Sequence, residues 1–126
     1  MLPITSLTGS GLAVLLLVLT FLVSQQRGVA KVSLGDGGDP VLLKRIRAFG
    51  NFTEYAPMGL LLLALVEFSG ASSAMVWALG VLLLGGRILH ALGMYVKPFG
   101  IGRLVGMLMN YLVFLGAAVM LLINAI

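Results

Sequence analysis

Four long apolar stretches alternate with short polar ones along the chain. The first run, from Leu12 to Val23, is interrupted only by Thr20, and Ser24, Gln25, Gln26 and Arg27 mark its end, so a helix is predicted over about 4–26. Residues 28–39 carry Lys31, a Gly35-Asp36-Gly37-Gly38 turn and no periodicity, which reads as a loop. Asp39 and Pro40 have the chemistry of a helix start, N-cap followed by first helical position. The spacing then predicts helices over 40–68, 71–95 and 101–125, separated by Ser69-Gly70 and by Lys97-Pro98-Phe99-Gly100, a tight basic turn with two helix breakers.

Span lengths decide how deep the polar residues sit. A helix needs about 20 residues to cross roughly 30 Å of hydrocarbon. The apolar run 56–66 is too short alone, so residues 47–55 must complete the span and Asn51 and Glu54 become intramembrane residues. Pro57 is compatible with such a helix where neighbours re-satisfy the freed carbonyl, and a kink is expected there. The same argument draws Arg87 and His90 into the third span. Arg47, Asn51 and Glu54 fall at i, i+4 and i+7 and share one helix face, with Tyr55 beside Glu54.

Composition narrows the class. With 126 residues, 60% hydrophobic content, 10% charge and a mean hydropathy of +1.15, the chain is an all-α integral membrane protein, a four-helix bundle forming a single domain over 1–126. Residues 1–11 carry no basic region and no A-x-A cleavage signal follows, so the first span is expected to be retained. There is no cysteine, hence no disulfide, thiolate metal site or cysteine nucleophile, and no metal is expected. The net charge is +4, but Arg27, Lys31, Lys44, Arg45 and Lys97 lie in or beside the 1–2 and 3–4 loops, whereas the termini and the 2–3 loop hold no lysine or arginine. That asymmetry is a topology signal rather than a nucleic-acid surface, and both termini are expected to face away from the cytoplasm. The first turns of the second helix, with Lys44 and Arg45, are expected to project into water.

An antiparallel bundle then gathers Arg27, Arg47, Asn51, Glu54, Arg87, His90 and Arg103 near the cytoplasmic leaflet. Four of these are arginines against one nearby acid, a surplus suited to a ligand with carboxylates. A competing structural reading pairs Glu54 with Arg47 or Arg87 as an internal ion pair that fixes helix register. His90 is either a packed, hydrogen-bonded histidine or a ligand contact. Gly102-x-x-x-Gly106 is expected to be a helix-packing surface, and Asn110 and Asn124 interhelical or interfacial hydrogen-bonding groups.

The run R-A-F-G-N-F-T-E-Y-A-P at 47–57 resembles the second-helix signature of the MAPEG superfamily, the membrane-associated proteins in eicosanoid and glutathione metabolism. Gly86-Arg87-Ile88-Leu89-His90 and Gly102-Arg103 resemble further family positions in the same order, and the likeness extends over nearly the whole chain, toward bacterial-type microsomal glutathione transferase-like members. The resemblance implies a homotrimer in the bacterial inner membrane, with glutathione as co-substrate between subunits near the cytoplasmic leaflet. It assigns Arg47, Asn51, Glu54 and Tyr55 to glutathione, with Arg87 and His90 in support, Arg27 from the first helix and Tyr95 as a further contact. Arg103 matches the arginine that stabilises the glutathione thiolate for attack on hydrophobic electrophiles. Two positions depart from the family. Leu104 stands where the prostaglandin-forming branch has serine, so that isomerase reaction is not expected; a family tyrosine falls on Met94, with Tyr95 one residue later. A non-catalytic lipid-binding or scaffold protein on the same fold is the alternative. A small multidrug exporter is disfavoured because helix 1 lacks a carboxylate.

Overall fold

The computed structural model describes residues 1–96 and 100–125. Four helices follow in order, α1 (Pro3–Ala30), α2 (Pro40–Phe68), α3 (Ser73–Val96) and α4 (Ile101–Ala125). All four are long and apolar enough to cross a membrane. The shortest has 24 residues and the longest 29, about 36 to 44 Å at roughly 1.5 Å per residue. Each therefore exceeds the hydrocarbon thickness and leaves a turn or more for the interface.

Two boundaries differ from the sequence reading. The first helix does not stop at Gln26 but continues to Ala30, ending at Lys31 in the left-handed region (φ 55°). Gly28 alone costs about 1 kcal/mol relative to alanine, too little to end a helix whose next residues, Val29 and Ala30, can continue it. The termination comes one turn later, where the Val32 amide donates to the Arg27 carbonyl at 3.1 Å. The third helix begins at Ser73 rather than Ala71, because the Ser72 carbonyl accepts from the Met75 and Val76 amides and so defines the first turn. The start of α2 is as the sequence chemistry indicates: Asp39 Oδ1 accepts from the Val41 and Leu42 amides at 2.7 and 2.9 Å. Asp39 Oδ2 accepts from Gln26 Nε2 at 3.1 Å, which ties this cap to α1. Pro57 lies inside α2. Lys97, Pro98 and Phe99, expected to form a tight basic turn, lie outside the described residues.

The up-and-down course brings the end of α1, the start of α2, the end of α3 and the start of α4 to one end of the bundle. α2 and α3 each touch the other three helices, and the most extensive packing is between α3 and α4. The buried stripe of α3 runs Val76, Leu79, Leu83, Gly86, Arg87, His90, Ala91 and Met94, so two titratable side chains occupy core positions. Leu83 packs with Leu12, Leu19, Phe52 and Val113 in one apolar cluster; Leu63, Val66, Val76 and Ala117 form another toward the opposite end. α3 and α4 approach closely at Gly86 and Gly106: a Cβ on Gly86 would lie 3.0 Å from the Gly106 carbonyl oxygen. The small-residue face of α4 is thus a packing surface, as its spacing suggests.

At the other end, Glu67 closes the bundle. α1 has no cap of its own, since Leu2 precedes it. Instead the Glu67 carboxylate accepts from the Ile4 amide at 3.0 Å and the Thr5 amide at 2.7 Å. A carboxylate there satisfies two orphan donors and complements the positive end of the helix dipole. Nearby, Asn124 Nδ2 donates to Ser69 Oγ at 3.1 Å, joining α4 to the end of α2.

Candidate functional site

Arg87 is the centre of the site. It is 1% exposed, the largest fully buried side chain among the described residues. Along α3 it stands about 21 Å from Ser73 and about 14 Å from Val96, on the rise per residue of a helix. Its Nη1 donates to Asn51 Oδ1 at 2.8 Å and to the Asn51 carbonyl at 3.3 Å. Its Nη2 reaches Met107 Sδ at 3.7 Å. The guanidinium carbon lies 5.3 Å from the centroid of the Tyr55 ring, within cation–π range. None of these partners is an anion, and Arg87 Nε is buried with no partner among the described residues.

A buried cation held only by an amide, a carbonyl, a ring and a thioether keeps most of its charge uncompensated. The internal ion pair is therefore not how Arg87 is held. Glu54 and Arg47 are both exposed on α2. The reason is geometric: the buried stripe of α2 runs Ala48, Phe52, Ala56, Gly59 and Leu63. Asn51 and Tyr55 sit on the flank of that stripe nearest α3 and α4, whereas Arg47 and Glu54 lie further round.

Tyr55 is fixed by aromatic neighbours from α4. Its ring stacks on Phe114 (centroids 5.9 Å apart, 20° between planes) and lies tilted to Tyr111 (6.4 Å, 52°). Such pairs contribute about 0.5–1.5 kcal/mol beyond burial. His90, 3% exposed, packs against Gly106, where a Cβ would lie 2.8 Å from the His90 Cβ. Its charged neighbours are Arg87 and Arg103.

Arg103 opens onto a groove of about 490 Å³ on α4, lined with Gly100, Leu104, Met107, Leu108 and Tyr111. Arg103, Met107 and Tyr111 recur every four residues, so they share one helix face. Met107 and Tyr111 link the groove to the buried cluster, one touching Arg87 and the other touching Tyr55. The arrangement offers an exposed cation, apolar walls and a second cation behind them.

Three other basic or aromatic residues lie elsewhere. Arg27 Nη1 donates to the Gly35 carbonyl at 2.9 Å, at the end of α1. Arg45, expected in water, folds back on α1 and donates from Nη1 to the Leu22 carbonyl at 2.6 Å and to Gln25 Oε1 at 3.1 Å. Tyr95 packs against the apolar cluster that contains Leu12, Leu19 and Phe52, with its hydroxyl buried and unpartnered among the described residues. Asn110 is fully buried and donates to the Gly106 carbonyl in its own helix at 2.8 Å, not across to a neighbour. The sequence reading gives Met107, Tyr111 and Phe114 no role in the site. The signal was present in their spacing from Arg103, but an apolar or aromatic stripe on a membrane helix reads first as packing.

The sequence matches the MAPEG family over residues 5–123. Two curated relatives are both called inner membrane protein YecN, one from Escherichia coli strain K12 and one from Escherichia coli O6:H1. Each is 38% identical over 87 residues, covering 69% of this chain and 66% of the relative, so the likeness spans just under two thirds of their length. No solved structure matches. The family match begins in the first turn of α1, ends in the last turn of α4 and includes every helix that contributes to the Arg87 cluster, so the chain belongs to the MAPEG family.

Proposed function

We propose that this membrane protein is a glutathione transferase or peroxidase that activates the glutathione thiol for attack on hydrophobic electrophiles. The observation that carries this reading is the uncompensated Arg87 guanidinium lying behind a groove that Arg103 lines. A tripeptide with two carboxylates supplies the missing negative charge. Arg103 sits on the exposed side of Met107, where it can face the thiol. A thiol of pKa about 8.5 is only a few per cent thiolate at neutral pH, and each unit of lowering is about 1.36 kcal/mol. A guanidinium in a low-dielectric groove stabilises the thiolate by that order. The thiolate sulfur then bonds to the electrophilic carbon as its leaving group departs with the electron pair. In the peroxidase variant it attacks a peroxide oxygen as the O–O bond breaks. The apolar walls suit substrates that partition into lipid, a detoxifying role.

In this proposal the protein is a homotrimer in a bacterial inner membrane, with termini away from the cytoplasm and the site near the cytoplasmic leaflet. Exposed Arg47 and Glu54 on α2 support the assembly, because charges at that depth normally face protein or a wet cavity. A neighbouring subunit would cover them and complete the glutathione site, with Arg27 and Tyr95 at its margin. The name of the relatives favours no chemistry, so a lipid-binding or scaffold role is the alternative.

Titrating purified protein with glutathione while recording the ultraviolet thiolate band tests the proposal. Wild type should develop the band and conjugate a general aromatic electrophile. Arg103→Ala should bind glutathione but lose the band and at least about tenfold of the rate, the loss that about 1.4 kcal/mol corresponds to. A wild-type protein that neither binds glutathione nor forms thiolate refutes it, and lipid retention in that case supports the scaffold role.

A further inference from the structure

We propose that Met107 is a site of sulfoxidation by hydroperoxides, and that Arg87 holds the sulfoxide once it forms. A guanidinium has five N–H donors. Among the described residues Nη1 bonds Asn51, Nη2 reaches only the Met107 sulfur at 3.7 Å, and Nε is buried without a partner. A thioether is a weak acceptor. A sulfoxide oxygen is a strong one, and an N–H of a guanidinium bonds it with charge assistance. Adding one oxygen to this sulfur gives a buried cation an acceptor it lacks.

Access and selectivity both follow from position. Met107 is half-buried and lines the open groove beside Arg103 and Tyr111, so an oxidant can reach it. Met58 and Met75 are more exposed, at 50% and 49%, but among the described residues it is Met107 whose sulfur accepts from a guanidinium. Met94 is in the core at 7% exposure. The leucines at 104 and 108 line the same groove and favour an organic hydroperoxide over a hydrophilic one.

The step is a two-electron oxygen transfer. The sulfur lone pair attacks the terminal peroxide oxygen, an S–O bond forms as the O–O bond breaks, and the hydroperoxide proton passes to the departing oxygen. The products are the sulfoxide and an alcohol; sulfur is oxidised and the hydroperoxide reduced. As its proton leaves for the departing oxygen, the transferred oxygen becomes the negative end of the S–O dipole, and Arg87 Nη2, 3.7 Å from the sulfur, is the donor placed to stabilise it. The inference needs no glutathione and stands or falls separately from the proposed transferase activity.

The test is timed exposure of the purified protein, without thiol, to cumene hydroperoxide, followed by fragment mass spectrometry of each methionine. Met107 should convert about tenfold faster than Met58 and Met75, the factor that about 1.4 kcal/mol of transition-state stabilisation gives. Arg87→Gln should lower the Met107 rate to theirs. A wild-type Met107 that reacts no faster than these more exposed methionines overturns the proposal, as does an unchanged Met107 rate in a folded Arg87→Gln protein. Should that variant fail to fold, the order of rates in wild type decides alone.

Discussion

Removing the Asn51 side chain should destabilise the bundle through Arg87 and through little else. Asn51→Ala deletes the 2.8 Å acceptor of a guanidinium that is 1% exposed, leaving Nη1 with only the backbone carbonyl at 3.3 Å and Nη2 with the Met107 sulfur. Hydrogen bonds to charged groups contribute about 1.5–3 kcal/mol in soluble proteins. Within membranes, double-mutant cycles average about 0.6 and reach about 1.7 kcal/mol, because the unfolded chain also finds partners in lipid. This bond belongs at the upper end, since it is charged and no carboxylate stands ready to replace Oδ1. The expected coupling between Asn51→Ala and Arg87→Met is therefore about 1.5 kcal/mol. Alone, Asn51→Ala should cost about that much; in the Arg87→Met background, where no buried cation needs an acceptor, it should cost almost nothing. Reversible unfolding in mixed detergent and dodecyl sulfate micelles, followed by far-ultraviolet circular dichroism, measures all four corners of the cycle. If the cost of Asn51→Ala agrees in the two backgrounds to within about 0.5 kcal/mol, the usual limit of additivity, then Asn51 does not hold Arg87 and the account of the site is wrong.

The packing and the caps give further expectations. Gly106→Ala places a Cβ 2.6 Å from the His90 amide nitrogen, so α3 and α4 must part at a cost of about 1–3 kcal/mol; Gly85→Ala meets only the flexible end of Met109 at 3.4 Å and should leave the thermal midpoint nearly unchanged. Glu67→Ala removes the acceptor of the Ile4 and Thr5 amides and should cost about 0.5–2 kcal/mol, the range for a lost helix cap. Hydrogen exchange should report it as lost protection confined to the first turns of α1. Asp39 lies outside the spans, and its carboxyl is held below the ordinary carboxylate value first by the Leu42 amide and then by the Gln26 side chain. A lowered pKa in the folded state means that its contribution is complete above the ordinary value of about 3.9 and is lost as pH falls through the lower folded value. Asp39→Asn should flatten that part of the stability profile, and an unchanged profile would remove Asp39 as its source.

That Asn51 and Arg87 lie within long helices rather than in the loops was legible without a structure, because span length is a one-dimensional constraint. The apolar run that includes Met58 to Val66 is too short for a bilayer, so Asn51 had to enter it, and the same reasoning carried Arg87 inward from the end of the third span. Pairing was not legible. On a helical wheel Arg87 could have met Glu54, and only the packing of three helices around α3 shows that Asn51 and Tyr55 are nearer while Glu54 is left outside. Tyr95 illustrates the same limit: residue type alone suggests a polar contact, whereas the packing sets its ring, like Met94 before it, against the apolar cluster of Leu12, Leu19 and Phe52.

The sequence by itself determined four apolar helices, their order, the polar stretch at 47–55 and the family signature, all of which depend on local spacing, chain length and residue type. The tertiary structure decided which charges are buried and what holds them. Glu67 became a cap only because antiparallel packing brings the end of α2 beside the start of α1. Arg87 became a core residue only because the close contact between glycines 86 and 106 leaves its side chain between α2 and α4. Both depend on contacts between residues far apart in the chain, and no local pattern specifies which side chains those contacts will exclude from lipid.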